Sequence, residues 1–167
     1  MISVYRPIQS PTLQQELQRP GYKYREYAPC DQLASYVACY WTMDFDAKQG
    51  NPLHRIIPDG CVDIIVDRRA PSCRNAAFVV GLMTSFEVMR LTEDRALFGI
   101  RMFTESAQSI LKYPVSEFSG QQVDLEDIWG MEGHFLAEDM LRADSVYEII
   151  EIIERKLWAI LASGSTP

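Results

Sequence analysis

The chain has 167 residues and a formal net charge of −7, and its hydrophobic and charged fractions are 47% and 23%. These values are typical of a globular domain that is large enough to bury one core. No run in the sequence approaches the roughly 18 apolar residues that a helix needs to cross a bilayer, so we expect no membrane-spanning helix. The N-terminus shows no apolar segment of a secretory signal, so we expect a cytoplasmic protein.

The first half of the chain has the pattern of β-strands. Residues 1–21 are rich in Pro and Gln and predict an N-terminal arm, whereas residues 22–104 predict a β-barrel core. Apolar and polar residues alternate over 37–46 and again over 61–67, as in half-buried strands. Further strands are predicted at 54–57, 78–81, 86–91 and 96–103, with turns at 58–60 and 92–95. Short strands separated by turns predict an antiparallel barrel or sandwich rather than a parallel sheet.

The second half has the pattern of helices. Residues 105–163 predict a helical region packed on the barrel, with short helices at 106–112, 125–129 and 135–141. A longer helix is predicted from Ser145 to Ala162, because Ser145 and Glu148 match a capping box. The predicted fold class is therefore α+β: an antiparallel β-barrel or sandwich followed by a C-terminal helical region, in a single domain.

This last helix carries an apolar stripe at spacings of four and three residues. Its members are Val146, Ile150, Ile153, Leu157 and Ile160, with Trp158 beside them. Such a stripe packs either on the core of its own chain or on the same helix of a second copy. The residues alone favour the first alternative.

The distribution of charge bears on DNA binding. Residues 1–100 carry 11 Lys/Arg and 11 Asp/Glu, whereas residues 101–167 carry 5 Lys/Arg and 12 Asp/Glu. A DNA-binding surface needs clustered cations against the phosphates. Because residues 101–167 are strongly acidic and the whole chain carries a net negative charge, we expect these 167 residues not to bind DNA.

The residue types that support catalysis are sparse. The two histidines, His54 and His134, fall in different regions, so a histidine-rich metal centre is not predicted and no cofactor is expected. Asp59 and Asp63 form either an acid–base pair or, as we favour, a turn aspartate and a strand aspartate. The four cysteines lack the spacing of a metal or redox motif.

Arg101 is the charge that most suggests a site, because it lies in an apolar strand between Ile100 and Met102. It either forms an ion pair, for which Asp63 is a candidate partner, or meets an acidic group of a ligand in the mouth of the barrel. The predicted ligand-binding residues are Trp41, Arg55, Asp63, Arg101 and Phe103.

Several blocks along the chain carry a family resemblance. They are Tyr-Arg-Glu-Tyr-Ala-Pro at 24–29, Tyr-Trp at 40–41, the run from His54 to Ile65, residues 80–84, and Gly-Ile-Arg-Met-Phe at 99–103. In this order they resemble the uncharacterised N-terminal sensor domain of a subgroup of AraC-type bacterial transcription regulators. One departure is Thr104-Glu105-Ser106, where the family usually has Pro-Gly.

The resemblance implies a cupin-like barrel that binds a small effector and helices that form a homodimer. It raises the expectation that Val146, Ile150, Ile153, Leu157, Trp158 and Ile160 form the dimer interface. It also implies that DNA is contacted only through a C-terminal helix-turn-helix module, which these residues do not contain. The expected function is therefore ligand sensing and dimerisation without catalysis or membrane association; the alternative is a small cupin-like barrel enzyme.

Overall fold

The computed structural model describes residues 21–49, 53–56, 58, 60–83, 85, 87–90 and 93–164. The predicted arm, apart from Gly21, lies outside the described residues. The strands are β1 (Tyr22–Tyr27), β2 (Val37–Phe45), β3 (Leu53–Ile56), β4 (Cys61–Asp67), β5 (Ala77–Val80), β6 (Glu87–Arg90), β7 (Arg95–Phe103) and β8 (Gln122–Asp124). The helices are α1 (Thr104–Leu111), α2 (Leu125–Trp129), α3 (Met131–Arg142) and α4 (Val146–Ser163).

Six strands form one antiparallel sheet in the order β1-β2-β7-β4-β5-β8, and β3 pairs with β6 in a separate two-stranded sheet. The predicted α+β class is confirmed. A closed barrel is not shown, since β1 and β8 stand at the two ends of the sheet and do not pair with each other among the described residues.

Two strands were not predicted from the sequence. Strand β1 pairs with β2 along its full length although half of its residues are charged, as is common at the edge of a sheet. Strand β8 has only three residues and lies in the half of the chain that has the helical pattern. Its pairing with β5 extends the sheet beyond the predicted boundary at residue 104.

The main core lies between one face of the sheet and the helices. Tyr40, Phe98, Ile64 and Ile100 project from the central strands into it and are fully buried. The prediction of a half-buried β2 is wrong for its centre. All five residues from Cys39 to Met43 are buried, because the opposite face of the strand is covered as well.

Helix α4 begins at the predicted cap. The Ser145 hydroxyl accepts a hydrogen bond from the Glu148 amide at 3.1 Å, and the Glu148 carboxylate accepts one from the Asp144 amide at 2.7 Å. Ile153 and Leu157 of the apolar stripe are fully buried and belong to the core of the chain itself. The fold of one chain does not test the predicted dimer.

The other three stripe residues and the neighbouring Trp158 are less buried. Val146, Ile150 and Ile160 are half-buried, and Trp158 is 44% exposed. Trp158 is therefore the member of the predicted interface that a second molecule reaches most directly.

Helix α1 begins where the sequence departs from the Pro-Gly pattern. The Thr104 hydroxyl donates to the Gly60 carbonyl, and the Ser106 hydroxyl donates to the Ser35 carbonyl at 3.1 Å. Two hydroxyl side chains thus attach the start of this helix to neighbouring turns.

Candidate functional site

Three of the five sequence-predicted ligand residues, Trp41, Asp63 and Arg101, converge on the face of the sheet opposite the helices. Arg101 on β7 lies directly between Cys39 on β2 and Asp63 on β4, and Gly99 lies opposite Trp41. Side chains of paired residues project to the same side of a sheet. Because Gly99 and Arg101 are two residues apart on one strand, Trp41, Asp63 and Arg101 all share this face.

Arg101 is the centre of a polar cluster, although its side chain is only 2% exposed. Its guanidinium lies 3.4 Å from a carboxylate oxygen of Glu26 and donates to the Tyr24 hydroxyl at 3.1 Å. Its Nε lies 3.9 Å from the Asp63 Oδ1. We call Tyr24, Glu26, Trp41, Asp63 and Arg101 the arginine cluster.

The aromatic members of the cluster are held by hydrogen bonds as well as by packing. The Trp41 Nε1 donates to the Asp63 Oδ2 at 3.1 Å, and the Tyr24 hydroxyl donates to Glu26 at 2.8 Å. The two rings stack with centroids 6.1 Å apart. Burial raises the pKa of Tyr24 well above its ordinary value, and the nearby Arg101 offsets only part of this rise. Tyr24 therefore remains a hydrogen-bond donor at neutral pH.

The geometry supports the ion-pair interpretation of Arg101. Its guanidinium already contacts two carboxylates, the Tyr24 hydroxyl and the Cys39 sulfur. The cluster reaches solvent through its acids instead, since Glu26 is 45% exposed and Asp63 is 17% exposed. A ligand that approaches this face meets carboxylates before it meets the arginine.

The remaining predicted ligand residues lie farther from this centre. Phe103 is buried two pairs beyond Arg101, opposite Cys61. Arg55 belongs to β3, in the two-stranded sheet, and its side chain lies outside the described part of the structure. Asp59, half of the considered acid–base pair, also lies outside the described residues.

Two cluster members, Tyr24 and Glu26, were missed because β1 was not predicted. A usable signal exists in Tyr22 and Tyr24, which are less exposed than Lys23 and Arg25 between and after them, whereas Glu26 is itself exposed. In an edge strand this alternation indicates one covered face.

A second set of contacts connects the sheet with helix α4. The Glu154 carboxylate accepts a hydrogen bond from the Tyr40 hydroxyl at 3.1 Å and one from the Cys30 amide at 3.0 Å. Burial, and next the negative charge of Glu154, raise the pKa of Tyr40 above its ordinary value. Tyr40 and Trp41 are adjacent on β2 and project to opposite faces. One strand thus joins the arginine cluster to α4.

No group of three or more His, Cys, Asp or Glu side chains in the described part of the chain is arranged to hold a metal ion. None of the described helices is both long and apolar enough to cross a bilayer.

Comparison with known proteins identifies the family of the chain but no relative of known function. A family model described as "Domain of unknown function (DUF6597)" matches residues 25–124, which is more than half of the chain. The chain belongs to this family. The family region contains nearly the whole sheet, from β1 to β8, whereas α2, α3 and α4 lie outside it. No curated protein and no solved structure was found to match the chain.

Proposed function

We propose that this chain is the ligand-sensing and dimerisation domain of an AraC-type transcription regulator. The observation that supports this proposal is the path through β2. Trp41 belongs to the arginine cluster on one face of the sheet, and its neighbour Tyr40 donates a hydrogen bond to Glu154 of α4 on the other. A small molecule that displaces Trp41 therefore shifts the strand that holds α4.

The arginine cluster has the composition of a binding site for a small effector. It combines stacked aromatic rings with partly exposed carboxylates and a buried guanidinium. Pockets for small molecules typically combine apolar walls with a few fixed polar groups. Because Glu26 and Asp63 form the exposed part of the cluster, we propose an effector that donates hydrogen bonds to carboxylates.

The binding step is tested by thermal-shift screening of the purified chain against small metabolites. We expect a compound that raises the melting temperature of the wild type and not that of Asp63→Asn. The control is Asp144→Asn, an exposed aspartate away from the sheet. A compound that stabilises Asp63→Asn and Asp144→Asn equally would mean that the effector binds outside the arginine cluster. Stoichiometric Zn, Fe or Mn in the purified protein would favour the barrel-enzyme alternative instead.

The transmission step is tested with Tyr40→Phe, which removes only the hydroxyl bonded to Glu154. We expect a stability loss of about 1–2 kcal/mol, since the lost hydrogen bond is to a carboxylate. The effector found in the screen should still bind. In Tyr40→Phe, however, binding of the effector should no longer change the amide hydrogen exchange of Val146–Ser163. Tyr147→Phe is the matched control, because Tyr147 is 71% exposed and lies on α4 itself. An unchanged exchange response in Tyr40→Phe would contradict the proposed path.

Dimerisation is proposed to use the exposed part of α4 around Trp158 rather than the buried Ile153 and Leu157. Large aromatic side chains often contribute most to an interface. We expect Trp158→Glu to convert a dimer to a folded monomer in light scattering. Ala159→Glu, which adds the same charge at the next exposed position, should have a smaller effect. A wild-type monomer at high concentration would contradict this part of the proposal.

A further inference from the structure

A second cluster of reactive side chains lies at the β5–β8 edge of the sheet, away from the arginine cluster. The Cys73 sulfur lies 3.3 Å from Nε2 of His134, and Nδ1 of the same imidazole lies 3.4 Å from Oε2 of Glu126. The three side chains line a small cleft together with Asn75, Asp124 and Gly133. His134 thus stands between a thiol and a carboxylate.

Each member is positioned by a separate element of the fold. Cys73 lies in the loop between β4 and β5, where its carbonyl accepts a hydrogen bond from the Ala76 amide at 3.3 Å. His134 lies near the start of α3, and the preceding Gly133 lets this helix approach α2 closely. A Cβ on Gly133 would lie 2.6 Å from the Leu125 carbonyl oxygen. The cluster therefore depends on close packing of α2 against α3.

The arrangement is that of an activated nucleophile: a thiol within reach of a base, and a base oriented by a third group. His134 is 27% exposed, Glu126 is 47% exposed and Cys73 is half-buried, so small molecules can reach the cleft. We propose that Cys73 is a nucleophilic thiol, with His134 as its general base, that reacts with small uncharged electrophiles such as α,β-unsaturated carbonyl compounds.

The reaction is a conjugate addition that needs no leaving group and no oxidant. The Cys73 sulfur forms a bond to the β-carbon of the electrophile, and the thiol proton passes to Nε2 of His134. The electron pair of the carbon–carbon double bond moves to the α-carbon, which then takes the proton from the imidazolium. The product is a saturated thioether, and His134 returns to its neutral form.

The charge around the cleft selects the class of electrophile. Asp124 and Glu126 line it, and Asp127 lies near enough to act on Asp124. Burial raises the pKa of Asp124 above its ordinary value, the negative charges of Asp127 and Glu126 add to this rise, and the positive charge of Arg74 offsets part of it. These acids repel anions. An uncharged electrophile should therefore react faster than an anionic one of similar size.

The test measures labelling rates of individual cysteines in the full chain by peptide mass spectrometry. The probes are N-ethylmaleimide, which is uncharged, and 3-maleimidopropionate, which is anionic. Cys30 is the internal control, because it is also a half-buried free thiol, whereas Cys39 and Cys61 are buried. We expect N-ethylmaleimide to label Cys73 about tenfold faster than Cys30, or more. The anionic probe should lose rate at Cys73 relative to Cys30, and added salt should narrow this difference.

His134→Gln should lower the Cys73 rate about tenfold or more while leaving the Cys30 rate unchanged. If this variant unfolds, Cys39 and Cys61 will become labelled; Glu126→Gln then serves as the second variant, with a smaller fall expected. Equal rates at Cys73 and Cys30 in the wild type would overturn the proposal. So would a Cys73 rate that is unchanged in folded His134→Gln.

Discussion

Replacing Arg101 by Met is expected to lower the free energy of unfolding by about 2–4 kcal/mol. The guanidinium is 2% exposed and lies between Glu26 and Asp63, so its removal leaves two carboxylates facing an apolar strand. Breaking a buried ion pair from one side typically costs about 3–5 kcal/mol, and the partial exposure of both acids reduces this value. Urea unfolding followed by circular dichroism measures the loss.

Arg142→Met is the matched control for this substitution. Arg142 is 74% exposed and pairs with Glu138 one helical turn away, a geometry worth about 0.5 kcal/mol or less. Arg101→Lys should fall between the two, because it keeps the charge and loses the planar fork that reaches several partners. Equal losses in Arg101→Met and Arg142→Met would mean that the cluster contributes little to stability.

Replacing Gly99 by Ala is expected to cost about 3 kcal/mol, at the upper end of the usual cost of overpacking a core. A Cβ at this position would lie 2.0 Å from Cε2 of Trp41, so the indole must move. Its hydrogen bond to Asp63 would then be lost. The substitution should therefore lower both the melting temperature and the affinity for any effector that binds the arginine cluster.

A double-mutant cycle with Trp41→Ala tests whether the clash with the indole ring causes the stability loss of Gly99→Ala. In a Trp41→Ala background the ring is absent, and Gly99→Ala should cost less than about 1 kcal/mol. Gly120→Ala provides a second comparison. Its Cβ would meet no atom within 4 Å, and only the positive φ of 69° opposes it, so about 1 kcal/mol is expected. Similar costs for Gly99→Ala with and without Trp41 would contradict the steric explanation.

Local patterns were sufficient for much of the sheet. The alternation over 37–46 and 61–67 predicted β2 to within one residue and β4 with both ends, because period-two alternation depends only on neighbouring residues. The residue pattern also placed Arg101 within an apolar strand, with Asp63 as its candidate ion-pair partner. The structure places these two charges directly opposite each other.

Contacts between distant segments could not be predicted from local sequence patterns. Glu26 and Arg101 are 75 residues apart, and Cys73 and His134 are 61 apart. No local periodicity links such pairs, because their meeting depends on the order of strands and on the packing of α2 and α3. For this reason the sequence alone suggested only a metal-binding role to consider for His134, and not a pairing with Cys73.

The sequence by itself determined the α+β class, most strand and helix positions and the N-terminal cap of α4, whereas the shared face of Trp41, Asp63 and Arg101 follows from the strand register. The class, the positions and the cap follow from backbone preferences and side-chain spacing within single segments. Only the tertiary structure decided that Ile153 and Leu157 face the chain's own core, and that Glu26 and Tyr24 complete the arginine cluster. An apolar stripe is equally suited to any apolar partner, so its orientation is set by which surface the packed sheet offers it.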